Sequence, residues 1–226
     1  MSGVLAANTP VDELWEIVRP ALEETLQLVT WTGLITIGVG LPLAVVLHNT
    51  SPSGLRPTPV VHLPLNGIVN FARSLPFLIL MVLLIPFTRL LVGTTIGVAG
   101  SIVPMSVAAI PFAARLLETN LREVPPDVLR VGRASGGSVF GVVSRVQLPE
   151  AVPAMIGNLT LLVITIIEIS AVAGTLGGGG IGDLAVTYGY TRFDTTVLVA
   201  CAVILVISVQ LVQLVGDLLA RRLDHR

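Results

Sequence analysis

The sequence predicts an all-α integral membrane protein of five transmembrane helices, with its N-terminus outside and its C-terminus inside. Composition, the spacing of charge and the distribution of arginine carry that expectation. Of 226 residues, 53% are hydrophobic and 12% charged, with a mean hydropathy of +0.90; soluble domains carry about twice that share of charge. Charged residues bracket uncharged apolar runs at 25–47, 74–88, 90–114, 151–167 and 195–216. About 20 such residues cross a hydrocarbon core of roughly 30 Å. The two short runs lengthen at their ends, one by snorkelling of Arg73 and Arg89, the other through Glu168 to Gly174. The expected spans are 25–47, 70–91, 97–115, 151–174 and 195–217.

All thirteen Lys/Arg positions are arginine, so orientation follows from counting arginines loop by loop. With the N-terminus outside, Arg56, Arg73, Arg115, Arg122, Arg130, Arg133, Arg145, Arg221, Arg222 and Arg226 face the cytoplasm, and Arg19, Arg89 and Arg192 do not. Five spans then put the C-terminal arginines inside, in agreement with the other loops. The membrane itself, and no nucleic acid, is the surrounding that this composition implies.

Residues 1–24 read as a short acidic lead-in at the outer surface, with Trp15 at the interface. Asp12, Glu13 and Glu16, with no basic start and no long apolar core, argue against a secretory signal there. Gly33, Gly38 and Gly40 in the first span allow close helix packing. The Pro-, Ser- and Thr-rich stretch 48–64 predicts a cytoplasmic loop, with structure resuming at Leu65. Pro76 and Pro86 should interrupt the second span, and Pro104 and Pro111 the third, as structural bends or as mobile ones. Cys201 in the last span reads as a buried small hydrophobe, and 218–226 as a cytoplasmic tail.

Between the third and fourth spans lies a polar stretch, VLRVGRASGGSVFGVVSRVQLPE at 128–150. Pro125, Pro126 and Asp127 make a helix start, Gly136 and Gly137 a left-handed stop, and Ser138 an N-cap for a second helix closed by Leu148 and Pro149. Val128, Leu129, Val131 and Ala134 alternate with Arg130 and Arg133, giving an apolar and a basic side. From the residues alone this is either a helix lying on anionic lipid or a docking element for a partner.

The spacing resembles the coupling signature of ABC importer permeases: Glu-Ala-Ala, three residues, Gly, nine residues, Ile, one residue, Leu-Pro. Gly136, Val146, Leu148 and Pro149 fall on its Gly, Ile, Leu and Pro, while Arg130-Val131-Gly132 replaces Glu-Ala-Ala. Arg130 thus stands where the family has an acid, with Asp127 as the nearby carboxylate that can compensate. RSLPFLILMVLLIPFTRLLVGTTIG at 73–97, PFAARLLETNLREVP, LPEAVPAMI and GGGGIGDLAVTYGY at 177–190 resemble the methionine-uptake ABC permeases more narrowly.

That resemblance implies a homodimeric pore subunit of the bacterial cytoplasmic membrane, served by a cytoplasmic ABC ATPase and an external substrate-binding lipoprotein. It implies coupling to the ATPase through Asp127, Arg130, Arg133, Ala134, Gly136, Ser138, Leu148 and Pro149. It also implies no cofactor in this chain, ATP and Mg belonging to the partner. The chain has no G-x-x-x-x-G-K-[ST], so a P-loop is absent from the sequence. Catalysis is not expected of it.

The candidate translocation path comprises Pro76, Pro104, Pro111, Glu168 and Ser170. Glu168 is the one acid deep in an apolar run, where an ionised group is costly unless paired or wetted; it reads equally as functional or as an acid near the outer interface. A proton-coupled secondary transporter working through Glu168 is the rival reading. Gly177, Gly179 and Gly182 satisfy G-x-G-x-x-G without the strand a dinucleotide site needs, which leaves a flexible turn or a close-packed re-entry. His48 and His62 read as solvated loop residues, without the neighbours a metal needs.

Overall fold

The computed structural model describes residues 9–10 and 12–223. They form α1 (Leu14–Thr50), α2 (Pro59–Ser74), α3 (Phe77–Leu83), α4 (Ile85–Val92), α5 (Gly97–Glu123), α6 (Pro126–Ala134), α7 (Val139–Val142), α8 (Leu148–Gly174), α9 (Gly180–Leu184) and α10 (Thr195–Leu223). π-Helical turns follow α7 at Val143–Gln147 and α9 at Ala185–Thr191. Four helical stretches are long and apolar enough to cross a membrane, α1, α5, Val139–Gly174 and α10, with a fifth if the bent pair of α2 and α3 is one span. The molecule is an all-helical membrane protein.

Several boundaries differ from the expected ones. Of the expected lead-in, residues 1–8 and 11 lie outside the described residues, as do 224–226 of the expected tail, Arg226 among them. From Leu14 the described remainder is helical and continuous with the first span as the first turns of α1, with Glu16 in the first turn and Arg19 paired to Glu23 at 3.0 Å. The loop expected at 48–64 shrinks to 51–58. α1 runs on to Thr50, and Pro59, at the first position of α2 where a proline's missing N–H costs nothing, restarts the helix.

The second expected span, 70–91, is not one helix. Leu75 precedes a proline and is driven out of the helical region (φ −84°, ψ 127°), so α2 ends there and α3 starts afresh after Pro76. A second break at Leu84 starts α4, which tolerates Pro86 in its first turn and ends on Gly93 (φ 78°). α5, by contrast, runs unbroken through Pro104 and Pro111.

The chain divides into two compact units. One comprises the described residues to Leu34, Pro76–Val107 and Val163–Gln213. Its core sets Val18 and Ala21 of α1 against Ile181 and Leu184 of α9 and Val197 and Cys201 of α10. Cys201 is free and buried, as a small apolar side chain would be. The other comprises Ile35–Leu75, Ala108–Leu162 and the described residues from Leu214. There Ala44, Leu117, Leu121, Val124, Ala151 and Met155 pack together. Lipid supplies no hydrophobic drive between helices, so close approach has to do the work. Of the three first-span glycines, Gly40 makes that approach: a Cβ there would lie 3.1 Å from the Ala113 Cβ, whereas Gly38 meets nothing within 4 Å.

Candidate functional site

The stretch between α5 and α8 is built on local rules. Pro125 precedes α6 and Asp127 occupies its first turn. At its end Gly136, at φ +81°, donates to the Arg133 carbonyl and Gly137 to the Gly132 carbonyl. Those 5→2 and 6→1 bonds make a complete Schellman stop. Ser138 then caps α7, its Oγ accepting from the Gly141 N–H at 3.1 Å. Gly132 sits where α6 meets the next helix; a Cβ there would touch Val142 and Val146 at 3.4 Å. A glycine inside a nine-residue helix is the sequence signal for that contact.

Leu148 and Pro149 do not close this second helix; it continues through them to Gly174. The π-turn is the reason. A proline clashes with the carbonyl four residues back in an α-helix, but here the Leu148 N–H reaches five residues back, to the Val143 carbonyl. Widening that turn gives the ring at position 149 room.

No residue of α6 is buried. Asp127, Arg130, Arg133, Ala134, Gly136, Ser138 and Pro149 are exposed and Leu148 is half-buried; Val131 and Phe140 add apolar surface, the latter 80% exposed. Arg130 pairs with Asp127 at 3.1 Å, so the arginine at the acid position is answered one turn back on its own helix. Leu129 and Leu148 attach the stretch to the core of their unit.

Beneath lies a polar layer that the sequence reading missed. Glu118, 1% exposed, bonds Arg115 at 2.7 Å and Arg122 at 2.8 Å, and Arg115 also donates to Asn66 and Asn70 of α2. Asn158 donates to Asn120 at 3.0 Å. Asn49, in the last turn of α1, donates to Gln147 Oε1 at 3.0 Å, both residues being buried. Arginines three residues before and four after Glu118 were a legible ion-pair signal; nothing local marks Asn49 for Gln147. His48 is not a solvated loop residue, since α1 carries it into the interior; His62 is half-buried in α2, its ring 3.1 Å from the Leu47 carbonyl.

The path candidates scatter. Pro76 precedes α3 at the bend. Pro104 lines a cavity of about 140 Å³ with Met81, Thr88 and Leu176, and Pro111 is buried in α5. Ser170 is buried and donates to the Ile167 carbonyl. Glu168 is exposed and lines a second cavity of about 390 Å³.

The glycine run is the close-packed alternative, not the flexible one. Cβ atoms on Gly178 and Gly182 would lie 2.5 Å from Ser101 Oγ and 2.6 Å from the Ala171 Cα. Glu24 accepts from the Gly180 N–H at 2.7 Å and Thr25 from that of Ile181 at 2.8 Å, so α1 holds the start of α9. Asp194 closes the segment: it accepts from Thr196 and Val197 at the head of α10, and from the Thr9 amide and hydroxyl. Burial pushes its carboxyl up, but these donors outweigh burial and hold it below the usual 3.8.

Residues 30–226 match the model of the binding-protein-dependent transport system inner membrane component. The chain is 42% identical over 211 residues to the probable D-methionine transport system permease protein MetI of Vibrio cholerae, covering 93% of this chain and 94% of that one. It is 35% identical over 219 residues to the methionine import system permease protein MetP of Bacillus subtilis, covering 97% of each. A solved inward-facing MetNI methionine ABC transporter contains a chain 38% identical with a TM-score of 0.92, covering 96% of this chain and all of that one. An amino acid ABC transporter solved with histidines, 17% identical with a TM-score of 0.77, shares the fold. The chain therefore belongs to the family of binding-protein-dependent transport system inner membrane components, alongside the methionine permeases.

Proposed function

We propose that the chain is the permease subunit of an ABC importer for methionine or a close amino-acid analogue, working as a homodimer in a bacterial cytoplasmic membrane. Its N-terminus is outside and its C-terminus inside, a cytoplasmic ATPase docks on α6, and an external binding lipoprotein delivers substrate. ATP and Mg act on the ATPase; this chain moves its substrate unchanged.

The observation that carries this reading is the geometry of the α6 joint. α6 keeps no side chain buried, its end is fixed by the Schellman bonds at Gly136 and Gly137, and the next helix runs unbroken from Val139 to Gly174. A partner that shifts α6 therefore works directly on the helix that follows it. Asp127, Arg130, Arg133, Ala134, Gly136 and Ser138 form the docking element, and Leu148 and Pro149 lie where the rod leaves it. Pro76, Pro104, Pro111, Glu168 and Ser170 belong to the path. A two-state element biased by a ligand is what alternating access requires.

The test is uptake of labelled methionine into liposomes holding the permease, its ATPase and its binding protein. ATP-dependent uptake that survives a proton uncoupler is expected. Uptake driven by a pH gradient without ATP would overturn the reading in favour of a secondary transporter.

A further inference from the structure

Glu168 and Gln210 face one cavity, otherwise lined by Ile167, Ala171, Leu205, Val206 and Val209. Its volume, about 390 Å³, lies within the roughly 300–1,000 Å³ of small-molecule sites, which pair apolar walls with a few placed polar groups. Depth follows from helix geometry. α10 begins at Thr195, and its cavity residues lie ten to fifteen positions further on, about 15–22 Å along the axis at 1.5 Å per residue. Glu168 lies six positions before the end of α8 at Gly174, about 9 Å from it at the same rise, so in a hydrocarbon layer about 30 Å thick the cavity reaches from within a third of the layer to past its middle.

A carboxylate exposed at that depth is costly unless it meets water or a cation. The ion pairs among the described residues use other acids, so no described residue pairs with Glu168. Gln210 offers what an anionic ligand group lacks, an amide N–H₂, and a carbonyl besides. A carboxylate, a carboxamide and an apolar wall together fit a zwitterionic α-amino acid with an apolar side chain.

We propose that this cavity is a substrate subsite within the membrane: Glu168 receives the α-ammonium, Gln210 donates to the α-carboxylate, and Leu205, Val206 and Val209 take the side chain. The assignment rests on the reading of Glu168 as part of the translocation path and adds the chemistry it reads. It gives the pore a selectivity of its own, separate from that of any external binding protein.

The test is equilibrium binding to the permease–ATPase complex in lipid nanodiscs, without binding protein. The probes are labelled methionine, its amine-only analogue 3-(methylthio)propylamine and its acid-only analogue 4-(methylthio)butanoate. Glu168→Gln should weaken methionine and the amine by about tenfold or more, the scale of one charged hydrogen bond, and leave the acid unchanged. Gln210→Leu should weaken methionine and the acid and spare the amine; it removes no charge and so guards against misfolding at position 168. Equal losses for all three probes in both variants, or no loss in either, would overturn the subsite. So would absence of methionine binding to a wild-type complex that still drives ATP-dependent uptake, a result that leaves the permease reading standing.

Discussion

Two glycine-rich joints, 132–138 and 174–182, look alike in sequence and both hold left-handed glycines, yet they differ in what surrounds Gly136 and Gly182. At the first, Gly136 is exposed and a Cβ there would meet nothing within 4 Å; the glycine serves a left-handed turn. At the second, glycines 174, 178 and 182 are buried and a Cβ on any of them would run into backbone. The first is a surface element free for a partner, and the second is a close-packed seam. A glycine's meaning comes from what lies opposite it, which is why small residues serve both as turns and as helix contacts in membranes.

The comparison breaks most directly at Gly182. In Gly182→Ala the new methyl collides with the Ala171 carbonyl and Cα, and α8 and α9 must part. Overpacking usually costs about 1–3 kcal/mol, and a rigid backbone opposite puts this case at about 3 kcal/mol or more. Thermal unfolding in detergent should show a large fall in Tm or loss of folded protein. A Tm within 2 °C of wild type, the shift expected from roughly 0.5–1 kcal/mol in a domain this size, would mean that the seam gives way to a methyl.

A smaller effect belongs to Asp194, which ends the packed joint and caps α10. Losing an N-cap acceptor costs about 1 kcal/mol, up to roughly 2. The folded pKa lies below the unfolded 3.8, so this stabilisation is complete above 3.8 and lost as pH falls through the lower folded value. Asp194→Asn should lower Tm at neutral pH and narrow its gap to wild type under acid. A gap that widens on acidification contradicts the donor set.

Much of the fold was legible because apolar run length depends on local composition alone. The Gly136 stop and the Ser138 cap were legible too, each resting on one residue's own backbone or hydroxyl. What escaped needed a partner far along the chain. Nothing around position 182 announces Ala171, and nothing around Asn49 announces Gln147. Leu148-Pro149 was misread as a stop because a π-turn rescues the proline, and π-turns leave no periodicity to detect. The loop at 48–64 was overdrawn because Pro59 reads as a breaker until it is seen at a helix's first position.

At the open joint, Gly136→Ala meets no clash and pays only for a left-handed backbone, roughly 1–2 kcal/mol. Its stability loss should therefore fall below that of Gly182→Ala. Its weight is functional: the ATP hydrolysed per methionine imported should rise, because the Schellman turn sets the angle at which α6 is presented. A ratio equal to wild type would make Gly136 a mere chain reversal.

The smallest stability change is expected at Gln147, where the open joint is tied to α1. Its Oε1 accepts from Asn49, yet Gln147 Nε2 and Asn49 Oδ1 are buried with no partner among the described residues. Such a half-satisfied pair is a poor source of stability, and an apolar side chain of similar size can serve as well. In Gln147→Leu the Asn49 amide still donates to the Val45 carbonyl, so Tm should stay within a few degrees, about 1 kcal/mol either way. If the hydrogen bond exists to carry displacement from α6 to α1, that variant should nevertheless hydrolyse more ATP per methionine imported. A stable Gln147→Leu with wild-type coupling would assign the transmission to the α7–α8 rod alone.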